Sequence, residues 1–201
     1  MGRLIVTEFM TLDGVAQGPG GPDEDREGGF THGGWQAPLD DDGAGDVVFE
    51  RAKTMDALLL GRKTYEIFAD YWPNASTDIP FTALLNRVPK YVVSGTLTEP
   101  LSWQGTTLLA DRLVDDVGTV KERHDEVHVI GSLDLLQSLL REQLVDQLDL
   151  WLYPVLLGSG KRVFSAGTVP ATLRAVETVT YPSGLVHLVY EPAGEPAYGQ
   201  M

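Results

Sequence analysis

Four short stretches set residues capable of chemistry directly behind apolar runs. In "LLLGRKTYE" (58–66) a glycine, two adjacent cations and a threonine follow a strand-like segment. Arg62, Lys63 and the Thr64 hydroxyl, with the free N–H groups of a helix start at Gly61, suit a phosphate on charge and donor grounds. The plain alternative is a pair of solvated cations, awkwardly placed because the helix dipole disfavours positive charge at that end. "VSGT" (93–96) offers the hydroxyls of Ser94 and Thr96 around Gly95, and alone it reads equally well as a turn. "VIGSLDLLQSLL" (129–140) passes from a strand through Gly131 into a helix that Ser132 caps. A pyrophosphate rests on backbone N–H groups in that arrangement, although the full G-x-G-x-x-G fingerprint is missing. "TLDGV" (11–15) closes the first apolar run and carries Asp13.

Other chemistries find no support. "LGSGKR" (157–162) is not a P-loop: Val155 stands where its first glycine belongs and Arg162 where a Ser or Thr must reach magnesium. Lys161 and Arg162 thus have no assigned ligand. The four histidines (His32, His124, His128, His187) are scattered, so no metal site is expected. There is no G-x-S-x-G elbow, and with no cysteine there is neither a disulfide nor a thiolate. With 15 basic against 29 acidic residues, a net charge of −14 argues against nucleic acid and anionic membranes as partners. The acidic clusters at 23–27 and 40–42 read as solvated loop charges. No cleavable leader or apolar span is evident, so a cytoplasmic location is expected.

These strand-end residues need a frame to position them. Residues 3–10, 57–61, 90–94, 106–110, 126–131 and 146–157 read as strands. Helical spacing covers 46–55, 62–72, 79–87, 111–125 and 132–144. Residues 171–191 form two alternating runs around "PSG", a hairpin signal, and 192–201 read as a frayed tail. The segment 11–45 holds ten of the 22 glycines and reads as a long binding loop. Alternating strands and helices imply one α/β domain over 1–191, with three αβα layers and a mostly parallel sheet of about eight strands ending in an antiparallel hairpin. Ligands of such sheets lie beyond the carboxyl ends of the strands, where the four stretches stand.

In this order, "TLDGV", "MDALLLGRKTYE", "YVVS", "VIGS" and "LVDQLDLWLYPVLLGSGKRVF" make the chain resemble the dihydrofolate-reductase-like family. Within it, the C-terminal reductase domain of riboflavin-pathway deaminase-reductases is the nearest type, here standing alone. The resemblance implies an NADPH-dependent reductase of a small heterocyclic substrate, ribosylaminopyrimidine- or pterin-like. On the family pattern Arg62, Lys63 and Thr64 would bind the cofactor's phosphates. Ser94, Gly95 and Thr96 would lie at the adenosine 2′-phosphate, and Gly131, Ser132 and Leu133 at the pyrophosphate. Thr11, Asp13, Gly14 and Val15 would border the nicotinamide. Trp35 and Phe49 would flank the substrate, with Asp46 or Asp13 as its carboxylate, and residues 17–45 would close over the site. Ser132 replaces the second glycine of the family's pair. A homodimer is implied as well, with "DLWLYPVLL" as a source of apolar surface. A non-catalytic nucleotide- or phospho-metabolite-binding module on the same fold is the rival reading.

Overall fold

The computed structural model describes residues 1–110 and 112–200, with the backbone alone at Asp42. The expected helix start at Asp111 and the last residue of the expected tail lie outside them.

The apolar runs form one eight-stranded sheet: β1 (Arg3–Thr11), β2 (Ala57–Gly61), β3 (Lys90–Val93), β4 (Thr106–Leu109), β5 (Glu126–Ile130), β6 (Gln147–Tyr153), β7 (Leu173–Thr180) and β8 (Val186–Pro192). Their order is β4-β3-β2-β5-β1-β6-β8-β7. Pairing is parallel from β4 to β6, while β8 runs antiparallel to both β6 and β7. The mostly parallel sheet with a closing hairpin is therefore as expected. β6 ends at Tyr153 and lies between β1 and β8, so the strand expected to offer dimer surface is internal.

Among the described residues five α-helices cover the faces: α1 (Asp42–Ala52), α2 (Arg62–Tyr71), α3 (Pro80–Arg87), α4 (Leu113–Arg123) and α5 (Leu133–Arg141). Alternation along the strands divides the core. Leu4 and Val6 of β1 and Leu148 and Leu150 of β6 pack with Val117 and Val120 of α4 and Leu135, Leu136 and Leu139 of α5. On the other face Leu58, Leu60 and Val92 pack with Tyr65, Leu84 and Leu85. Trp151 and Tyr153 there meet Ala44 of α1 and Val15, Phe30 and Trp35 of the long loop. Each such side chain contributes roughly 1.5–3 kcal/mol by leaving water.

Two elements differ from expectation for local reasons. α1 begins at Asp42, not at 46, because Asp41 is its N-cap and accepts from the N–H groups of Gly43 (3.1 Å) and Ala44 (3.4 Å). Gly43 and Gly45 are tolerated inside it, since burial of Ala44 and Ala52 outweighs their low propensity. The loop after β1 is also tied down rather than structureless. The Trp35 indole donates to the Gln17 carbonyl at 2.9 Å, Gly34 N–H to Gly18 at 2.8 Å, and the Gln17 amide to Asp25 and Glu27 carbonyls.

Candidate active site

A cleft of about 1600 Å³ opens at the carboxyl ends of the parallel strands. Its wall brings together Gly61, Arg62, Lys63 and Thr64 after β2, Ser94, Gly95 and Thr96 after β3, and Gly131, Ser132 and Leu133 after β5. Because β3, β2 and β5 are adjacent, loops 30 or more residues apart in sequence meet there. Gly61 is the N-cap of α2 and no side chain caps that helix, so its first-turn N–H groups stay available.

Ser132 stands at the N-cap of α5 but does not cap it, correcting the expectation. Its φ of 70° turns the hydroxyl away from the helix, and Oγ accepts the Gly61 N–H at 3.0 Å, tying β2 to β5. A Cβ on Gly61 would rest in ordinary contact with those of Leu135 and Ser132, at 3.4 and 3.5 Å. Ser94 Oγ accepts from the N–H groups of Thr96 (3.1 Å) and Leu97 (3.0 Å) and so shapes its turn.

The cations carry anionic partners from the long loop, so the acidic cluster at 23–27 is not simply solvated. Lys63 pairs with Glu27, and Lys161 with Asp25 (2.5 Å) and Glu27 (2.6 Å). The two ammonium groups, Lys161 foremost, hold the Glu27 carboxyl down to about 2. Glu24 accepts the N–H groups of Gly20 (2.6 Å) and Gly21 (3.0 Å). Among the described residues Arg62 pairs only with Glu66, one turn along α2, at 3.2 Å.

Thr11, Asp13, Gly14, Val15 and Trp35 do not reach the cleft wall. Thr11 and Val15 are fully buried, and Trp35 packs edge-on to Tyr153 in the core. Asp13 fastens the turn after β1 to the loop after β6. It accepts from Thr11 Oγ1 (2.6 Å) and from the N–H groups of Gly158 (2.8 Å) and Leu157 (3.2 Å). The Thr11 bond leads the set that lowers its carboxyl to about 2. Arg162 Nε donates to the Asp13 carbonyl at 2.9 Å, which accounts for that arginine. Gly160, at φ +124°, sits where a Cβ would meet Val15 and Phe30 at 2.7 and 2.8 Å, so "LGSGKR" is a structural clasp.

Asp46 and Phe49 of α1 do line the cleft, Asp46 at its exposed rim. Opposite them lie Phe9 of β1 and Trp151 of β6, stacked at 6.4 Å. On this floor stands a group the sequence reading passed over. Asp149, 3% exposed, lines the cleft, and its Oδ1 lies 2.6 Å from Nε2 of the fully buried His187. Its Oδ2 lies 3.7 Å from Arg51 of α1. His128, also buried on the cleft, is kept from protonation chiefly by burial. Glu8, 2% exposed, also lines the cleft, from the opposite face of the sheet. The only available signal for Glu8 and Asp149 was an acidic residue inside an otherwise apolar strand. Among the described residues no cluster could hold a metal ion, and no helix is long and apolar enough to cross a membrane.

Comparison with known proteins agrees with this architecture. The family model described as the RibD C-terminal domain matches residues 3–187. The protein YyaP of Bacillus subtilis (strain 168), itself uncharacterized, is 28% identical over 192 residues, 94% of either chain. A Shewanella sp. PV-4 protein named for riboflavin biosynthesis superposes with a TM-score of 0.73 at 21% identity, over 95% of this chain and 99% of that one. The Thermotoga maritima diaminohydroxyphosphoribosylaminopyrimidine deaminase/5-amino-6-(5-phosphoribosylamino)uracil reductase gives 0.63 at 16% identity, over 96% of this chain and 57% of its own. The chain belongs to the RibD C-terminal domain family.

Proposed function

We propose that this member of the RibD C-terminal domain family is an NADPH-dependent reductase of a small, flat heterocycle of the ribosylaminopyrimidine or pterin kind. The observation that carries the reading is the convergence of three glycine- and hydroxyl-bearing strand ends on one cleft. The donor set fits a dinucleotide phosphate. Helix N-termini at Gly61 and Ser132 supply N–H groups, Arg62 and Lys63 supply charge, and a Cβ on Gly95 would meet nothing within 4 Å, leaving room at the β3 end.

When bound, NADPH supplies the hydride. Gly131, Ser132 and Leu133 would hold the pyrophosphate, and Arg62, Lys63 and Thr64 the phosphates beside it. Ser94 and Thr96 would face the 2′-phosphate. At the other end, Phe49 and the Phe9–Trp151 pair would sandwich the heterocycle. Asp149, aligned by His187 and neighboured by Arg51, would accept an N–H of the ring, with Asp46 as a second carboxylate at the rim. The name of the Thermotoga relative supports 5-amino-6-(5-phosphoribosylamino)uracil as the first substrate to try, with dihydrofolate next.

NADPH and NADH are titrated by fluorescence, and NADPH oxidation is then followed at 340 nm with both substrates. Preferential NADPH binding with oxidation of one substrate is expected. Binding without oxidation across pterin, uracil and carbonyl panels would favour a non-catalytic binding module, and binding of neither coenzyme would sink the reading.

A further inference from the structure

Glu8 is a carboxyl group that the reading above leaves without a task. β5 pairs with β1 only as far as Thr7↔Ile130, and the Gly131 N–H donates to the Thr7 carbonyl at 3.1 Å. Glu8 is therefore the first residue of β1 beyond the end of β5, beside the Gly131 turn and the start of α5. Alternation sets it on the α5 face with Val6, away from Thr7 and Phe9. It lines the cleft, yet Oε1 has no hydrogen-bond partner among the described residues.

The neighbours on that face are apolar: Val127 and Val129 of β5, Leu148 and Leu150 of β6, Leu135 and Leu139 of α5. His128 and Asp149 belong to the opposite face by the same alternation. The charged residues lining the cleft from neighbouring segments include Asp134 of α5, Asp23, Glu24, Asp25, Asp40 and Asp41 of the long loop, Arg62 and Lys63 of α2, and Lys161. None of them moves the Glu8 carboxyl, which burial alone raises to about 8. Burial thus favours the protonated acid, which carries one donor and one acceptor side by side.

A phosphate calls for donors and positive charge, so a neutral acid is a poor match for it. A primary carboxamide offers the complementary acceptor and donor. From this geometry we infer that the Glu8 carboxyl pairs with the carboxamide of the cofactor's nicotinamide ring. The Glu8 hydroxyl donates to the amide oxygen, and the amide N–H donates to the orphaned Oε1. The pair fixes the rotation of the carboxamide and thereby the face of the ring turned to the substrate. The inference rests on the dinucleotide reading of the cleft and adds a pH limit to it. Above about pH 8 the donor is lost and a carboxylate opposes the amide oxygen.

The test measures Kd by tryptophan quenching from pH 6.5 to 9.5. Ligands are NADPH and its 3-acetylpyridine analogue, whose methyl ketone keeps the oxygen but lacks the N–H donor. Wild-type affinity for NADPH is expected to fall about tenfold across the upper part of the range, one hydrogen-bonded pair lost. Glu8→Gln, which keeps one donor and one acceptor at every pH, removes that fall. Glu8→Ala weakens NADPH much more than the analogue at pH 7. A pH-independent wild type overturns the pairing, as does a fall that persists in Glu8→Gln. Equal losses for both ligands in Glu8→Ala would move the contact to the ribose and overturn it too. If Glu8→Ala fails to fold, the wild-type profiles alone decide: both ligands should lose affinity above about pH 8, the analogue at least as steeply because it has no N–H for the carboxylate, and a pH-independent analogue overturns the pairing. Binding of neither ligand by the wild type is the distinct failure of the dinucleotide reading, and the inference falls with it.

Discussion

His187 Nε2 lies 2.6 Å from Asp149 Oδ1, so a fully buried imidazole on β8 holds the carboxylate that β6 presents to the cleft floor. Next to a carboxylate that nitrogen is the donor. His187 is also the register partner of Trp151 and stacks on its ring at 4.0 Å, so its orientation is set twice. Removing the imidazole takes away both the stack and the carboxylate's donor. His187→Ala is expected to cost about 2–4 kcal/mol, a cavity plus an unpartnered buried carboxylate. Urea unfolding of the two proteins measures it.

Glu27 occupies a cation that the proposed cofactor needs, since Lys63 binds it, with Lys161 on the same carboxylate. Glu27→Gln is expected to tighten NADPH several-fold by relieving the charge competition at Lys63. Lys63→Ala is expected to weaken it by a similar factor, and Arg62→Ala likewise. If these two cations serve the adenosine 2′-phosphate, NADH affinity should move little. An equal loss for both coenzymes would assign them to the shared pyrophosphate. Parallel fluorescence titrations read the outcome.

Asp13→Ala should act on stability, because its carboxylate joins two loops and does not reach the cleft. Losing charge-assisted bonds to Gly158 and Thr11 is expected to cost about 1.5–3 kcal/mol at pH 7. The folded carboxyl sits at about 2 against an ordinary 3.8, so its stabilisation is present above 3.8 and disappears as pH falls through 2. The gap between wild type and Asp13→Ala in chemical denaturation should therefore close between about pH 4 and pH 2.

Glu8 has the opposite sign. Its folded carboxyl is raised to about 8 from 4.5, so the stability it contributes is complete below 4.5 and is lost as pH rises through 8. Glu8→Gln removes that dependence. Its stability relative to wild type should rise from pH 5 to pH 8 at up to about 1.4 kcal/mol per pH unit. Thermal unfolding of the ligand-free proteins at matched pH tests this, independently of any cofactor.

The alternation of apolar runs and helical spacings was enough to read a three-layer α/β domain, because each element's pattern is contained in its own residues. The strand-end motifs were legible for the same reason: in "GRKT" the glycine, cations and hydroxyl are contiguous, and any strand that ends there presents them together. Asp149 and His187 are 38 residues apart, and only the antiparallel pairing of β8 with β6 brings them within a hydrogen bond. Asp13 looked the equal of Asp46 in sequence. The fold turned Asp13 toward the N–H groups of 157 and 158 and left Asp46 at the cleft rim. Glu8 stood in the sequence as a break in an apolar strand. Its character as a buried neutral acid depends on where β5 stops and how α5 packs, so only the tertiary structure decided it. Local sequence sets which groups sit at a strand end; burial and partnership, which set what those groups can do, belong to the neighbours the chain brings from elsewhere.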